Sequence, residues 1–162
     1  MQFTIRDYRE EDFDTLWLID QGCFAPGIAY SRYELRTYIR RPGSITLIAE
    51  SPGSEPAARR AVLGFIVAET SRRGMGHIIT IDVRVEARRH RVGSALLQAA
   101  EERLRSSQSR AVRLEAAVDN VSALSFYKRH GYDVVSVIPH YYSNGIDALE
   151  LEKSLLSVEP SS

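Results

Sequence analysis

Arg84, Arg88, Arg89, His90 and Arg91 crowd one short stretch in which Glu86 is the only acid, and Gly93 follows closely. A cluster of this kind binds anions, and its setting sharpens the point. Ile79, Ile81, Val83 and Val85 alternate before it as a strand would, and Ser94-Ala95-Leu96-Leu97-Gln98-Ala99-Ala100 after it favours a helix. A strand that turns into a helix presents the first helical N–H groups without intrahelical partners, at the positive end of the helix dipole, where phosphate binds. The arginines add charge-assisted hydrogen bonds. For the arginines alone, a solvated basic turn or a nucleic-acid patch is the plainer account. Gly93 changes the weighing, because a glycine just inside the helix start lets a ligand approach the backbone closely.

The elements that hold this turn follow from periodicity and breakers. Phe3 and Ile5 start a strand that ends near Asp7-Tyr8, and a helix runs from about Asp12 to Gly22 with Leu16 and Ile19 on its apolar side. Gly22 to Tyr30 is a loop rich in breakers and aromatics, of the kind that lines a site. Ser31 and Glu34 form a capping box for a helix reaching about Arg40. Strands are expected at Ser44 to Glu50, Ala61 to Ser71 and His77 to Val85, with a polar hairpin connection over 51–56. The helix after the basic turn extends to about Ser106, with Leu96, Leu97, Ala100 and Leu104 on one face and Glu101, Glu102, Arg103 and Arg105 outward. A strand at Ala111 to Val118 and a helix from Asn120 to His130, closed by Gly131, come next. Tyr132 to Ile138 and Ile146 to Lys153 make a terminal hairpin. This order gives a mixed sheet with helices in one α/β (α+β) domain over residues 1–156, with 157–162 a disordered tail.

Composition narrows the function classes. The 162 residues balance 21 basic against 21 acidic side chains, so the basic character is local. That argues against nucleic acid or an anionic membrane as a general partner. Cys23 stands alone, which excludes an internal disulfide and suits a reducing compartment. No apolar run approaches a membrane span and the N-terminus does not read as a signal peptide, so a cytoplasmic protein is expected. The four histidines are too scattered to suggest a metal site.

The run Arg88-Arg89-His90-Arg91-Val92-Gly93-Ser94 resembles the acetyl-CoA pyrophosphate loop of the GCN5-related N-acetyltransferases (GNAT family), Gln/Arg-x-x-Gly-x-Gly/Ala. Arg91 stands in place of the first glycine, with its side chain a possible phosphate contact. Downstream, Asn120, Ala123, Tyr127, Gly131 and Tyr132 match the same family's Asn-x-x-Ala-x-x-x-Tyr-x-x-x-Gly-Phe/Tyr. Two motifs in the right order, a helix and a strand apart, are far more specific than either one. Within the family the chain looks most like the RimI-like ribosomal-protein N-terminal acetyltransferases.

The resemblance implies a mixed, mostly antiparallel sheet of about seven strands with helices on both faces, and acetyl-CoA as co-substrate with no metal. It implies that Ile81, Asp82 and Val83 give backbone contacts to the acetyl and pantetheine arm, and that Arg88 to Ser94 hold the pyrophosphate. Asn120 would touch the pantetheine or an ordered water. Glu115 falls where the family keeps a general base and Tyr127 where it keeps a general acid, and Tyr141 and Tyr142 fall in a peptide-binding loop; Phe24 and Tyr30, in the aromatic loop after the first helix, are candidate substrate contacts from the character of that loop. Each has a plainer reading, as a surface carboxylate or as packed aromatics. His140 is a candidate assistant to the base.

The implied partner is a peptide or protein N-terminus or a small amine, and the implied assembly a monomer or homodimer. A peptide α-amine is about 10–15% neutral at pH 7 and a lysine only about 0.04%, so an N-terminal acceptor asks less of its base. The alternatives are a small-amine acetyltransferase and a non-catalytic CoA-binding regulator.

Overall fold

The computed structural model describes residues 1–53, 60–71 and 73–156. Its strands are β1 (Thr4–Asp7), β2 (Ser44–Glu50), β3 (Val62–Thr70), β4 (Met75–Val83), β5 (Ala111–Ala117), β6 (Asp133–Ile138) and β7 (Ala148–Ser154). Its helices are α1 (Phe13–Cys23), α2 (Arg32–Arg40), α3 (Val92–Ser106) and α4 (Val121–Arg129). The strands form one mixed, mostly antiparallel sheet in the order β1-β2-β3-β4-β5-β7-β6. Parts of the expected hairpin connection over 51–56, and the tail 157–162, lie outside the described residues.

Alternation along the strands divides the core in two. Leu47, Ala49, Ile66, Ala68, Ile78, Val112, Leu114 and Leu151 face α3, whose Leu96, Leu97, Ala100 and Leu104 are fully buried on them. On the other face Ile48, Phe65 and Val67 meet Phe13, Leu16 and Ile19 of α1 and Leu35 of α2. The capping box forms as expected, Ser31 Oγ accepting from Glu34 N at 3.1 Å and Glu34 Oε1 accepting from Ser31 N at 3.0 Å.

Two expectations need correction. Glu101 does not face outward with its neighbours: it is buried, and it accepts from Tyr132 Oη at 2.7 Å and Lys153 Nζ at 2.9 Å. A buried carboxylate is stable only when paired and hydrogen-bonded, and β7 supplies the ammonium that helical periodicity cannot foresee. The last strand starts at Ala148 and not Ile146, because Gly145 N→Tyr142 O and Tyr142 N→Ile146 O tie those residues into the turn.

The irregularity that matters is between β4 and β5, the one parallel pair among the described residues. Only Met75, Gly76 and His77 pair with Ala111, Val112 and Arg113. Beyond His77 the two strands run on without ladder bonds to each other, leaving a V-shaped gap. In β4, Val67 faces Thr80 and Ala68 faces Ile78, so Ile79 is an extra, bulged residue. A bulge bends and twists its strand, here at the edge of the gap.

Candidate active site

The basic turn folds as an anion nest. Arg89 and Arg91 both take left-handed backbone, at φ 66° and 65°, and α3 starts directly after Arg91. The backbone N–H groups from Arg89 to Ser94 donate to no acceptor among the described residues; Ala95 N, bonded to Arg91 O at 3.0 Å, is the first that does. Successive amides in such a turn make a concave donor set suited to a diphosphate. Left-handed arginine costs about 1–2 kcal/mol per residue. Burial of a leucine side chain returns about 1.5–3 kcal/mol, and Leu96, Leu97 and Leu104 are all at 0% exposure, so the packing of α3 holds the strained turn in place. Arg91 thus adopts the conformation that a glycine would take at that position. Arg88, Arg89, His90 and Arg91 are all exposed around the nest; Arg88 folds back along the chain, its Nε donating to Val83 O at 3.2 Å and its Nη2 3.7 Å from Cys23 Sγ.

The nest opens onto the gap. Arg84 N donates to Leu63 O at 2.9 Å, which makes Leu63 and Arg84 a hydrogen-bonded antiparallel pair. By alternation the Val83 and Ile81 amides then point away from β3, toward the gap. Asp82 departs from expectation. The same alternation turns its backbone toward Phe65, and its side chain is fully buried on the α1 side.

There Asp82 meets Asp20 of α1. Asp82 Oδ1 accepts from Thr80 Oγ1 and Asp20 Oδ2 accepts from Tyr30 N at 2.8 Å. Asp20 Oδ1 and Asp82 Oδ2 have no other partner among the described residues. Burial, reinforced by the neighbouring Asp20 carboxylate, raises the Asp82 pKa well above the ordinary range, and burial also raises that of Asp20. One proton between the two free oxygens satisfies both.

Tyr127 stands on α4, packed against the α3-side core. Its ring is edge-on to Phe126 at 5.3 Å and Tyr132 at 5.7 Å. Burial, with smaller contributions from Asp82 and Tyr142, raises the phenol pKa, so it remains protonated across the physiological range. Asn120 caps α4, its Oδ1 accepting from Ala123 N at 3.2 Å. Its side-chain nitrogen makes no hydrogen bond among the described residues.

Glu115 lies on the opposite side, at the narrow end of the gap. His77 Nε2 is 2.7 Å from Glu115 Oε2, and His77 Nδ1 is 3.6 Å from Glu69 Oε1. Scatter in sequence hid this pair, which forms only because β4 and β5 run parallel and adjoin at His77. His140 is held away in the hairpin, its Nδ1 3.2 Å from Gly145 O.

Aromatic residues roof this face. Tyr30 is edge-on to Tyr38 at 5.4 Å and donates to the bulged Ile79 O at 3.3 Å. Tyr141 stands edge-on to Tyr142 at 4.9 Å. Burial and the nearby Glu115 push Tyr141 up to about 12 and raise Tyr142 as well, so both phenols stay neutral beside it. The loop of Tyr30 and the terminal hairpin touch where Ser143 Oγ donates to Gly27 O at 2.9 Å. Tyr30, Tyr141 and Tyr142 therefore come together with Glu115. Phe24 is half-buried where α1 ends and has no ring partner in this group. Tyr38, from α2, was missed; its place beside Tyr30 follows from the turn between the two and not from any motif.

The sequence profile of the acetyltransferase (GNAT) family matches residues 5–132, and the chain belongs to that family. An N-alpha-acetyltransferase of Sulfurisphaera tokodaii is 39% identical over 74 residues, covering 45% of this chain and 44% of that relative. This aligned stretch spans less than half of either protein. An N-alpha-acetyltransferase of Saccharolobus solfataricus is 24% identical over 94% of this chain and 93% of its own length. Among solved structures, Ard1 from Thermoplasma volcanium superposes at a TM-score of 0.83, with 26% identity over 97% of this chain and 100% of that one. The Escherichia coli ribosomal-protein-S18-alanine N-acetyltransferase shares the fold at a TM-score of 0.80, with 16% identity over 99% of each chain. A chain of the NatC complex, solved with Gag peptide and CoA, is 25% identical at a TM-score of 0.79, over 96% of this chain and all of that one. Among the described residues, no group of three or more His, Cys, Asp or Glu could hold a metal ion, and no helix is long and apolar enough to cross a membrane.

Proposed function

We propose that residues 1–156 act as one N-acetyltransferase domain that moves the acetyl group of acetyl-CoA onto the α-amine of a peptide or protein N-terminus, by direct attack with both substrates bound. The observation that carries this reading is the alignment of three features. Six amides from Arg89 to Ser94, unpaired among the described residues, lead into the gap between β4 and β5, and a carboxylate under a tyrosine roof faces that gap from the other side. The names of the archaeal relatives and the peptide in the NatC structure support the choice of acceptor.

Acetyl-CoA supplies an acetyl group already activated as a thioester. The amides of Arg89 to Ser94, with Arg89 and Arg91 beside them, bind the pyrophosphate. Ile81 and Val83 hold the pantetheine arm along β4, and the Val83 N–H donates to the thioester carbonyl as charge builds on its oxygen. Glu115, oriented by His77, takes the proton that the amine nitrogen loses as the new C–N bond forms. The Tyr127 hydroxyl gives its proton to the sulfur as the C–S bond breaks. Tyr30, Tyr141 and Tyr142 exclude water and hold the first residues of the peptide.

The test is incubation of the purified protein with acetyl-CoA and paired peptides, one with a free α-amine and one with the α-amine blocked and a lysine exposed, alongside spermidine. Mass spectrometry should find the acetyl group on the free α-amine. Acetylation of lysine or spermidine alone would overturn the acceptor class, and CoA binding without turnover on any amine would overturn the enzyme.

A further inference from the structure

Ser94 is the third residue of α3, and its amide is the last of the unpaired set. The Cα–Cβ bonds of a helix tilt toward its N-terminus, so the Ser94 hydroxyl leans into the mouth where the amides converge. That hydroxyl is already engaged: Ser94 Oγ is 2.9 Å from Nε2 of His130, the residue that closes α4. The His130 ring stacks at a tilt on Phe126 with centroids 4.6 Å apart, and Phe126 in turn lies against Gly93. Serine and histidine thus join the two helices that flank the nest.

We propose that His130 is a positioning residue for the diphosphate, fixing through Ser94 whether a hydroxyl hydrogen or only lone pairs face the anion. The inference rests on the reading of the nest as the site of the CoA pyrophosphate. If His130 Nε2 carries no hydrogen it accepts from Ser94, and the hydroxyl offers the nest lone pairs that repel phosphate. If Nε2 carries a hydrogen it donates to Ser94 Oγ, and the serine hydrogen is free to donate to phosphate as a further member of the amide set.

The imidazolium always has that hydrogen and adds a positive charge, so anion binding and His130 protonation strengthen each other reciprocally. The groups facing His130 are Ser94 and Glu101 from α3, Arg129 from α4 and Lys153 from β7. Glu101 is occupied by Lys153 and Tyr132, and burial, the largest influence, lowers the free-state His130 pKa. The neutral ring therefore dominates at neutral pH without ligand, leaving room for the anion to shift it.

The probe is 3′-dephospho-CoA, whose pyrophosphate keeps constant charge between pH 5.5 and 8 and which lacks the titrating 3′-phosphate. Calorimetric affinity for the wild type should fall about three- to tenfold over that range, the scale of one hydrogen bond. His130→Gln and Ser94→Ala should each weaken binding at the acid end and flatten the pH dependence, and the double variant should lose no more than either alone. Long-range ¹⁵N correlation spectra should show Nε2 of His130 gaining its hydrogen as the probe binds. His90→Gln is the control, because His90 lies exposed in the same loop and could meet the phosphate directly. A flat wild-type profile would overturn the proposal, as would a slope kept by His130→Gln or abolished by His90→Gln. No binding at any pH would remove the cofactor reading underneath it. Circular dichroism of each variant separates misfolding from lost affinity.

Discussion

His77 Nε2 and Glu115 Oε2 meet at 2.7 Å across the last paired rung between β4 and β5, where the gap begins. Neither residue gains this neighbour from local sequence. The pairing gives the carboxylate a fixed direction, and Glu69 Oε1 lies 3.6 Å from the other ring nitrogen.

A fixed general base should be sensitive to both its chemistry and its orientation. Glu115→Gln should lower kcat about 10²-fold, the lower end of what a positioned base contributes, with the Kd for acetyl-CoA unchanged. His77→Gln should cost about tenfold, and the double variant little more than Glu115→Gln, because the two act as one unit. Multiplicative losses in steady-state rates would show that His77 acts independently.

Tyr127 has no hydrogen bond of its own among the described residues, and burial keeps its phenol protonated. Tyr127→Phe removes the proton donor while leaving the ring contacts with Phe126 and Tyr132. Turnover should fall about 10²-fold or more while calorimetric affinity for CoA stays within about twofold. Equal losses in both would mark Tyr127 as packing.

The parts of the site that one element builds were legible in the sequence. Residues Arg89 to Ser94 are a single strand-to-helix turn, and the Tyr127 helix has its own cap at Asn120 and its own stop at Gly131. What depends on two distant elements was not. His77 reaches Glu115, and Asp82 reaches Asp20, only through strand pairing and the docking of α1, and neither interaction leaves a periodic trace in the chain. Glu101 read as outward for the same reason, since its partner Lys153 lies on β7.

The roof over the acceptor side rests on a close approach at Gly27, where φ is 90° and an added Cβ would sit 3.0 Å from Asn144 Cβ. Gly27→Ala combines backbone strain with that contact, so the aromatic loop must move off the terminal hairpin. The KM for peptide should rise about three- to tenfold, equivalent to about 1 kcal/mol, with acetyl-CoA affinity unaffected because the nest lies on the other side of the sheet. Loss of affinity for both substrates in titrations would mean that the loop supports the whole fold.

The Asp20–Asp82 pair makes stability depend on pH in a direction opposite to the usual carboxylate. Asp82 has its folded pKa raised by burial and by Asp20, while in the unfolded chain it ionises at about 3.9. The folded state therefore holds a proton that the unfolded state has lost, and stability falls as pH rises above the unfolded value toward the folded one. Asparagine at position 82 cannot ionise, keeps the acceptor for Thr80, and can donate its amide hydrogen to Asp20 Oδ1. Thermal melts of Asp82→Asn and the wild type should nearly coincide near pH 4. They should separate with rising pH, with the variant higher by about 2–4 °C per kcal/mol of stability that the wild type loses. Parallel melting curves from pH 4 to 8.5 would show that the pair binds no extra proton in the folded state, and the buried oxygens would then need another partner.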